Sequence, residues 1–83
     1  MDADEIRKKI KEVISKVTSI RPSEIDDNAS FKDDVDLDSL TMLEITVDVD
    51  EAFSLELPEE EVRAMRTLQD YVDLVGKHLA EKV

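Results

Sequence analysis

Ser39 is the residue of this sequence whose type and position are best suited to chemistry. It joins a carboxylate-rich loop, residues 33–38, to a helical pattern that continues through Glu44. On position alone it is consistent with the first residue of a helix, with Asp38 as the N-cap. The free N–H groups and the dipole of such a helix end also tolerate a phosphate. Ser39 therefore fits a second role, as acceptor of a phosphodiester-linked prosthetic group pointing into solvent, away from the Asp38 carboxylate.

A hydrolytic role for Ser39 lacks the residues that it would need. No glycine-flanked nucleophile elbow surrounds the serine, and nothing in the sequence places the single histidine, His78, near it as a base. We therefore expect no enzymatic activity.

The aspartates before Ser39 raise the alternative of a calcium site. Asp34, Asp36 and Asp38 match the first three ligand positions of an EF-hand loop. The pattern then fails, because the glycine position holds Ser39 and the bidentate glutamate position holds Ile45. The absence of cysteine argues equally against a zinc cluster. We expect no specific metal site, only weak binding of divalent cations by the acidic cluster.

Composition and charge limit the class of protein. The 83 residues allow one small domain, predicted to span residues 1–83. A net charge of −11 argues against binding to nucleic acid or to anionic membranes and favours basic protein partners. No apolar run approaches the ~20 residues that a membrane-spanning helix needs, so we expect no membrane insertion and a cytoplasmic location. The charge is uneven: residues 24–61 hold fifteen acids and one base, and this half contains Ser39.

Hydrophobic periodicity predicts an all-α fold, a small four-helix bundle with three longer helices, one short helix and a long loop between helices one and two. Helix one is expected over Asp2 to about Thr18 and helix two over Ser39 to about Phe53. A short helix should run from Pro58 to about Met65, and Thr67 with Asp70 should cap the last helix. The long loop should contain one helical turn near Pro22–Ile25 and no strand.

Helix two carries apolar residues on two opposite faces, of which a small core can bury only one. The broader face, assigned inward, comprises Met42, Ile45, Val49, Ala52 and Phe53. The other, assigned outward beside Glu44, Asp50 and Glu51, comprises Leu40, Leu43 and Val47. An exposed apolar ridge flanked by acids is typical of a docking surface.

These motifs resemble those of the acyl carrier proteins of fatty-acid and polyketide synthesis. The likeness rests on Asp38-Ser39-Leu40 with Glu44, on Phe53, on Glu56-Leu57-Pro58-Glu59 and on Thr67-Leu68-Gln69-Asp70, and it extends from Ile6 to Val75. Asp-Ser-Leu alone would be a weak signal. The downstream proline and threonine at matching spacing make it specific.

The resemblance implies a cofactor, partners and site residues. Ser39 would bear covalent 4′-phosphopantetheine, added from coenzyme A by a Mg²⁺-dependent phosphopantetheinyl transferase, and its thiol would carry acyl groups as thioesters. Basic patches on the transferase and on acyl-processing enzymes would meet a monomeric carrier at Asp38, Leu40, Leu43, Glu44, Val47, Asp50 and Glu51. An acyl pocket would be lined by Thr46, Val49, Met65 and Tyr71.

The sequence departs from the family pattern at four positions. Asp36 replaces a usual glycine, Ser54 a frequent glycine or acid, and Thr46 an apolar residue. Tyr71 stands where the family often has an alanine lining the acyl pocket, so we expect it to leave little room for a long acyl chain. Two other functions remain open, a peptidyl or amino-acyl carrier and an acidic adaptor that needs no modification.

Overall fold

The computed structural model describes residues 2–32 and 37–81, and this part of the chain is helical, as predicted. Its four α-helices are α1 (Ala3–Thr18), α2 (Ser39–Phe53), α3 (Glu59–Ala64) and α4 (Leu68–Glu81), and a 3₁₀ turn covers Pro22–Glu24. The all-α class and the single short helix are confirmed. The described residues contain no strand, although one isolated antiparallel bridge pairs Ser30 with Thr67.

Side-chain caps fix where the longer helices begin. The Asp2 carboxylate accepts the Glu5 N–H at 2.9 Å at the start of α1. At the start of α4, the Thr67 hydroxyl accepts the Asp70 N–H and the Asp70 carboxylate accepts the Thr67 N–H, both at 3.2 Å. This reciprocal pair is a capping box with aspartate in the usual glutamate position. These local signals explain why the predicted helix starts agree closely with the structure.

The core lies between α1, α2 and α4 and is built mainly from aliphatic side chains. Each of these helices contributes a buried stripe at helical spacing: Ile6, Ile10 and Ile14; Ile45, Val49 and Phe53; Leu68, Tyr71, Val72 and Val75. The inward assignment of Ala52 is wrong, because it is exposed. It lies about 100° from Phe53 around the helix axis, at the edge of the buried face.

The long loop before α2 is attached to the far end of the bundle by backbone hydrogen bonds. The Phe31 N–H donates to the Arg66 carbonyl at 2.9 Å, and the Gln69 N–H donates to the Asp27 carbonyl at 2.8 Å. Ile25 and Phe31 are buried, and Leu37 packs against the core. Val35 lies outside the described residues. These contacts hold the described part of the loop before residue 33 against the start of α4.

Candidate functional site

Ser39 is exposed and is the first residue of α2. Asp38 before it has an extended backbone, and its Oδ1 accepts the Thr41 N–H at 2.8 Å. Hydrogen bonding from Thr41 lowers the pKa of Asp38, so the carboxylate is held in its charged form. The serine hydroxyl thus lies at the solvent side of a capped helix end, beside a fixed negative charge. This arrangement accommodates a phosphodiester that extends away from the protein.

Apart from Ala52, the apolar residues of α2 divide between two faces as predicted. Ile45 and Val49 are fully buried, whereas Leu40, Leu43 and Val47 are 68%, 60% and 49% exposed. We name these three exposed residues the docking ridge. They are the large hydrophobic residues that the described part of the chain leaves exposed.

Acidic side chains border the docking ridge, although not all of those predicted do so equally. Asp38, Glu44 and Glu51 are exposed. Asp50 is half-buried instead, and one of its carboxylate oxygens, Oδ1, is buried without a hydrogen-bond partner. Burial raises the pKa of Asp50, with the Leu57 backbone N–H acting in the opposite direction. Asp50 therefore lies between the docking ridge and the core rather than on the exposed rim.

The four residues predicted to line an acyl pocket all lie on the inner side of the bundle. Val49 and Tyr71 are fully buried in the core, Met65 packs against it, and Thr46 is half-buried. The Thr46 hydroxyl donates to the Met42 carbonyl at 2.8 Å. The Tyr71 ring meets the Phe31 ring edge to face, with their centroids 6.1 Å apart. The tyrosine thus fills interior space where an alanine would leave a gap.

The Tyr71 hydroxyl lies in the neighbourhood of two polar residues of α2, Thr46 and Asp50. It is buried without a hydrogen-bond partner of good geometry. Burial raises the pKa of Tyr71, the neighbouring Thr46 hydroxyl opposes that shift, and the Asp50 carboxylate adds to it. Sequence patterns did not reveal this grouping, because it joins residues of two helices. The helical spacing of Thr46 and Asp50, four residues apart, was the available signal.

The structure adds little to the metal alternative. Within residues 2–32 and 37–81, no three histidine, aspartate or glutamate side chains lie close enough together to hold a metal ion. Asp34 and Asp36, which the EF-hand comparison requires, lie outside the described residues. No helix in the described ranges has the length and apolar character needed to cross a membrane.

The sequence of this chain is similar to a known family and to individual proteins of known name. The family described as "Phosphopantetheine attachment site" matches residues 8–75, a segment that includes Ser39 and the docking ridge. An acyl carrier protein of Rubrobacter xylanophilus is 37% identical over 78 residues, covering 94% of this chain and 96% of that protein. An acyl carrier protein of Rhodococcus erythropolis is also 37% identical, over 94% of this chain and 86% of its own.

Relatives of a second kind, the meromycolate extension acyl carrier proteins, are longer than this chain. The meromycolate extension acyl carrier protein of Mycobacterium leprae is 42% identical over 74 residues, which cover 89% of this chain. The same alignment covers 64% of that protein, slightly less than two thirds of its length.

Proposed function

The chain belongs to the acyl carrier protein family, whose prosthetic group is 4′-phosphopantetheine, and on that premise we propose that Ser39 is the residue that bears it. The observation that carries this assignment is the exposed serine at the first position of α2, next to an N-cap whose carboxylate is already engaged by Thr41. When bound, the group supplies a thiol that carries acyl chains as thioesters.

The residues around Ser39 favour an arm that extends into solvent. In attachment, the Ser39 hydroxyl oxygen forms a bond to the phosphorus of the phosphopantetheine group, the pyrophosphate bond of coenzyme A breaks, adenosine 3′,5′-bisphosphate leaves, and the hydroxyl proton is lost to solvent. The resulting phosphodiester is negatively charged, and the ionised Asp38 beside it repels that charge. The N–H groups of the first turn and the helix dipole partly offset the repulsion. The phosphate is therefore tolerated at the helix end but is not drawn into the bundle.

We propose the docking ridge with Asp38, Glu44 and Glu51 as the surface that partner enzymes recognise. Apolar side chains exposed to this extent are costly to leave in water and become favourable when a partner covers them. The acidic rim suits basic patches on a phosphopantetheinyl transferase and on acyl-processing enzymes. Such charges act mainly on association rate and partner choice, which suits a monomeric carrier that docks weakly and leaves.

The test of the attachment site is intact mass after incubation with coenzyme A, Mg²⁺ and a phosphopantetheinyl transferase. Wild type should gain the mass of one phosphopantetheine, and Ser39→Ala should gain none. Ser23→Ala is the matched control, because Ser23 is also exposed and also lies in a first helical turn; it should be modified like wild type. Modification of Ser39→Ala would refute the assignment, and no modification of any form would favour an unmodified acidic adaptor.

The protein with its arm attached can also be used to distinguish the function of an acyl carrier from that of a peptidyl carrier. Once the arm is attached, we expect acyl-transferring enzymes to load it and amino-acid-activating enzymes not to do so. The carrier itself supplies attachment and presentation, and the partner enzymes supply catalysis.

A further inference from the structure

Lys32 is the one base that the sequence places among the fifteen acids of residues 24–61. Its side chain is exposed, and no ion pair or hydrogen bond with another residue of the described ranges engages its ammonium group. An exposed lysine is in most cases simply hydrated. The position of Lys32 in the fold relates it to Ser39 instead.

A backbone hydrogen bond holds Lys32 beside the residues that lead into α2. The Leu37 N–H donates to the Phe31 carbonyl at 2.8 Å. That carbonyl belongs to the peptide group that joins Phe31 to Lys32, so the Cα atoms of Lys32 and Leu37 lie within about 7 Å of each other. Ser39 is two residues further along the chain, which adds at most about 7 Å. The lone base of the acidic segment therefore lies near the exposed serine.

The lengths of the side chains allow Lys32 to reach a group attached at Ser39. The ammonium group of an extended lysine lies about 6 Å from its Cα, and a phosphorus atom bonded to a serine oxygen lies about 4 Å from the serine Cα. The Cα atoms of Lys32 and Ser39 are at most about 14 Å apart. Even at that limit, the ammonium group can approach the phosphorus to about 4 Å, the separation of an ion pair.

A second exposed base, Arg66, lies at the same end of the bundle but already has a partner. Its carbonyl accepts the Phe31 N–H at 2.9 Å. The Arg66 N–H donates to the Asp70 carboxylate at 3.0 Å and lowers the pKa of Asp70, and the charge of Arg66 adds to this effect. Lys32 has no such partner within the described part of the chain. It is therefore the cation that is available to an anion at Ser39.

We infer that Lys32 binds the phosphodiester of the prosthetic arm and holds the base of the arm towards the loop that precedes α2. This inference rests on the proposed attachment of the arm to Ser39. An ammonium group is a compact charge with three donors, and it can bind a phosphate without a fixed geometry. Lys32 also offsets the repulsion between the phosphate and the ionised Asp38. Because Lys32 and Ser39 are both exposed, the contact keeps the arm on the surface.

The experiment compares urea unfolding of the unmodified and holo forms of each variant at low salt, with loading verified by intact mass. Attachment adds a negative charge beside Asp38, and Lys32 offsets that charge in wild type. We expect attachment to lower the urea midpoint more in Lys32→Gln than in wild type. Lys32→Arg keeps the charge and should behave like wild type. Since each variant is compared with its own unmodified form, any contribution that Lys32 makes without the arm cancels.

Two further measurements separate a contact with the phosphate from a general effect of charge. The ³¹P resonance of the holo protein should have a different chemical shift in Lys32→Gln, because the ammonium group next to the phosphate is lost. The excess loss of stability in this variant should decrease as NaCl rises, because salt screens exposed charges.

Lys8→Gln is the matched control. Lys8 is also an exposed lysine, but it lies far from Ser39. The Nζ of its neighbour Lys9 is 5.8 Å from the centre of the Phe53 ring. Phe53 is the last residue of α2, about 21 Å from Ser39 along the helix axis. Lys8→Gln should therefore leave both the effect of attachment and the ³¹P resonance as in wild type.

Three outcomes would contradict these assignments. The inference about Lys32 would be overturned if attachment changed the urea midpoint of wild type and of Lys32→Gln equally. It would also be overturned if Lys8→Gln reproduced the effects of Lys32→Gln. Failure of wild type to load the arm would instead contradict the assignment of Ser39.

Discussion

The Glu61 carboxylate of α3 lies 2.6 Å from Nε2 of His78 on α4. α3 is six residues long and contributes no fully buried residue, and a helix this short has little stability of its own. Lys77 of α4 lies 3.6 Å from the same carboxylate. His78 is the only histidine of the chain, and its side chain is 19% exposed. Together with the packing of Val62 against the core, the contacts of Glu61 with α4 therefore hold α3 in place.

Replacing Glu61 with glutamine should lower stability at neutral pH but not at acidic pH. The hydrogen bond to His78, followed by the charge of Lys77, lowers the pKa of Glu61 from its ordinary value of 4.5. A lowered folded-state pKa stabilises the protein above the unfolded-state value, and this contribution is lost as the pH falls through the folded-state value. Urea unfolding at pH 7 should therefore show a lower midpoint for Glu61→Gln, and the difference should disappear towards pH 3.

Glu59→Gln is the control for this experiment. Glu59 pairs with Arg63 at 2.6 Å within α3, but both side chains are largely exposed and do not touch α4 through this pair. Exposed pairs of this kind contribute little. Equal effects of the two substitutions would show that Glu61 acts through general charge rather than through His78.

Truncation of two nearby residues of α2 should have different effects. One substitution should lower stability, and the other should lower the rate of Ser39 modification. Ile45 is fully buried, so Ile45→Val should cost about 1 kcal/mol of stability and leave modification of Ser39 intact. Leu43 is 60% exposed, so Leu43→Ala should change stability by less than about 0.5 kcal/mol. If Leu43 anchors the transferase, Leu43→Ala should lower kcat/KM for modification by about 5- to 30-fold. Urea unfolding and modification kinetics measure these effects; destabilisation by Leu43→Ala would contradict the assigned faces.

The helices could be predicted because their signals are local. The Asp38 cap marks the start of α2, and Thr67 with Asp70 marks the start of α4. Helical periodicity divides the apolar residues of α2 between two faces, and a small core can bury only one of them. Exposure of the docking ridge could therefore be predicted from the sequence, and its acidic border indicated a docking surface.

The remaining features depend on contacts between distant parts of the chain. Leu55 and Leu57, after α2, join the core without any periodic pattern, because the chain folds back under the helix end. The backbone hydrogen bond from the Phe31 N–H to the Arg66 carbonyl joins residues separated by more than a third of the sequence, and no local rule predicts it. The Tyr71 hydroxyl lies near Thr46 of α2, and the periodic pattern within α4 gives no indication of which residues of another helix it meets.

Neutralising one acid beside the docking ridge should slow modification of Ser39. Glu44 is exposed, so Glu44→Gln should leave stability nearly unchanged. A rim charge acts mainly on association, and the loss of one surface pair lowers kcat/KM of the transferase by about two- to fivefold at low salt. The difference should shrink as NaCl rises, because salt screens exposed charges. Glu24→Gln, which removes an exposed acid from the 3₁₀ turn, should be modified like wild type; an equal loss would indicate a net-charge effect.

A long saturated chain should gain no protection from this carrier. If Tyr71 fills the interior, an octanoyl group stays outside, and the urea midpoint of the octanoyl form should equal that of the holo form. Tyr71→Ala should lose about 3 kcal/mol or more in the unloaded protein and recover part of it when octanoyl is attached, because the chain can enter the space. A higher midpoint for wild type on octanoyl loading, or a structure with the chain buried beneath Tyr71, would refute this.

Gly76 is the one glycine of the chain, and replacing it with alanine should stabilise the protein. It lies inside α4 without a positive φ, so its conformation does not require glycine. An added Cβ would lie 3.8 Å from Cδ1 of Ile6, an ordinary van der Waals distance. Gly76→Ala should raise the free energy of unfolding by about 0.5–1 kcal/mol, because alanine restricts the unfolded chain. Gly76→Ser should gain roughly half as much, since serine has the lower helix propensity. Loss of stability in both variants, measured by urea unfolding, would show that α1 and α4 pack too closely here for any side chain.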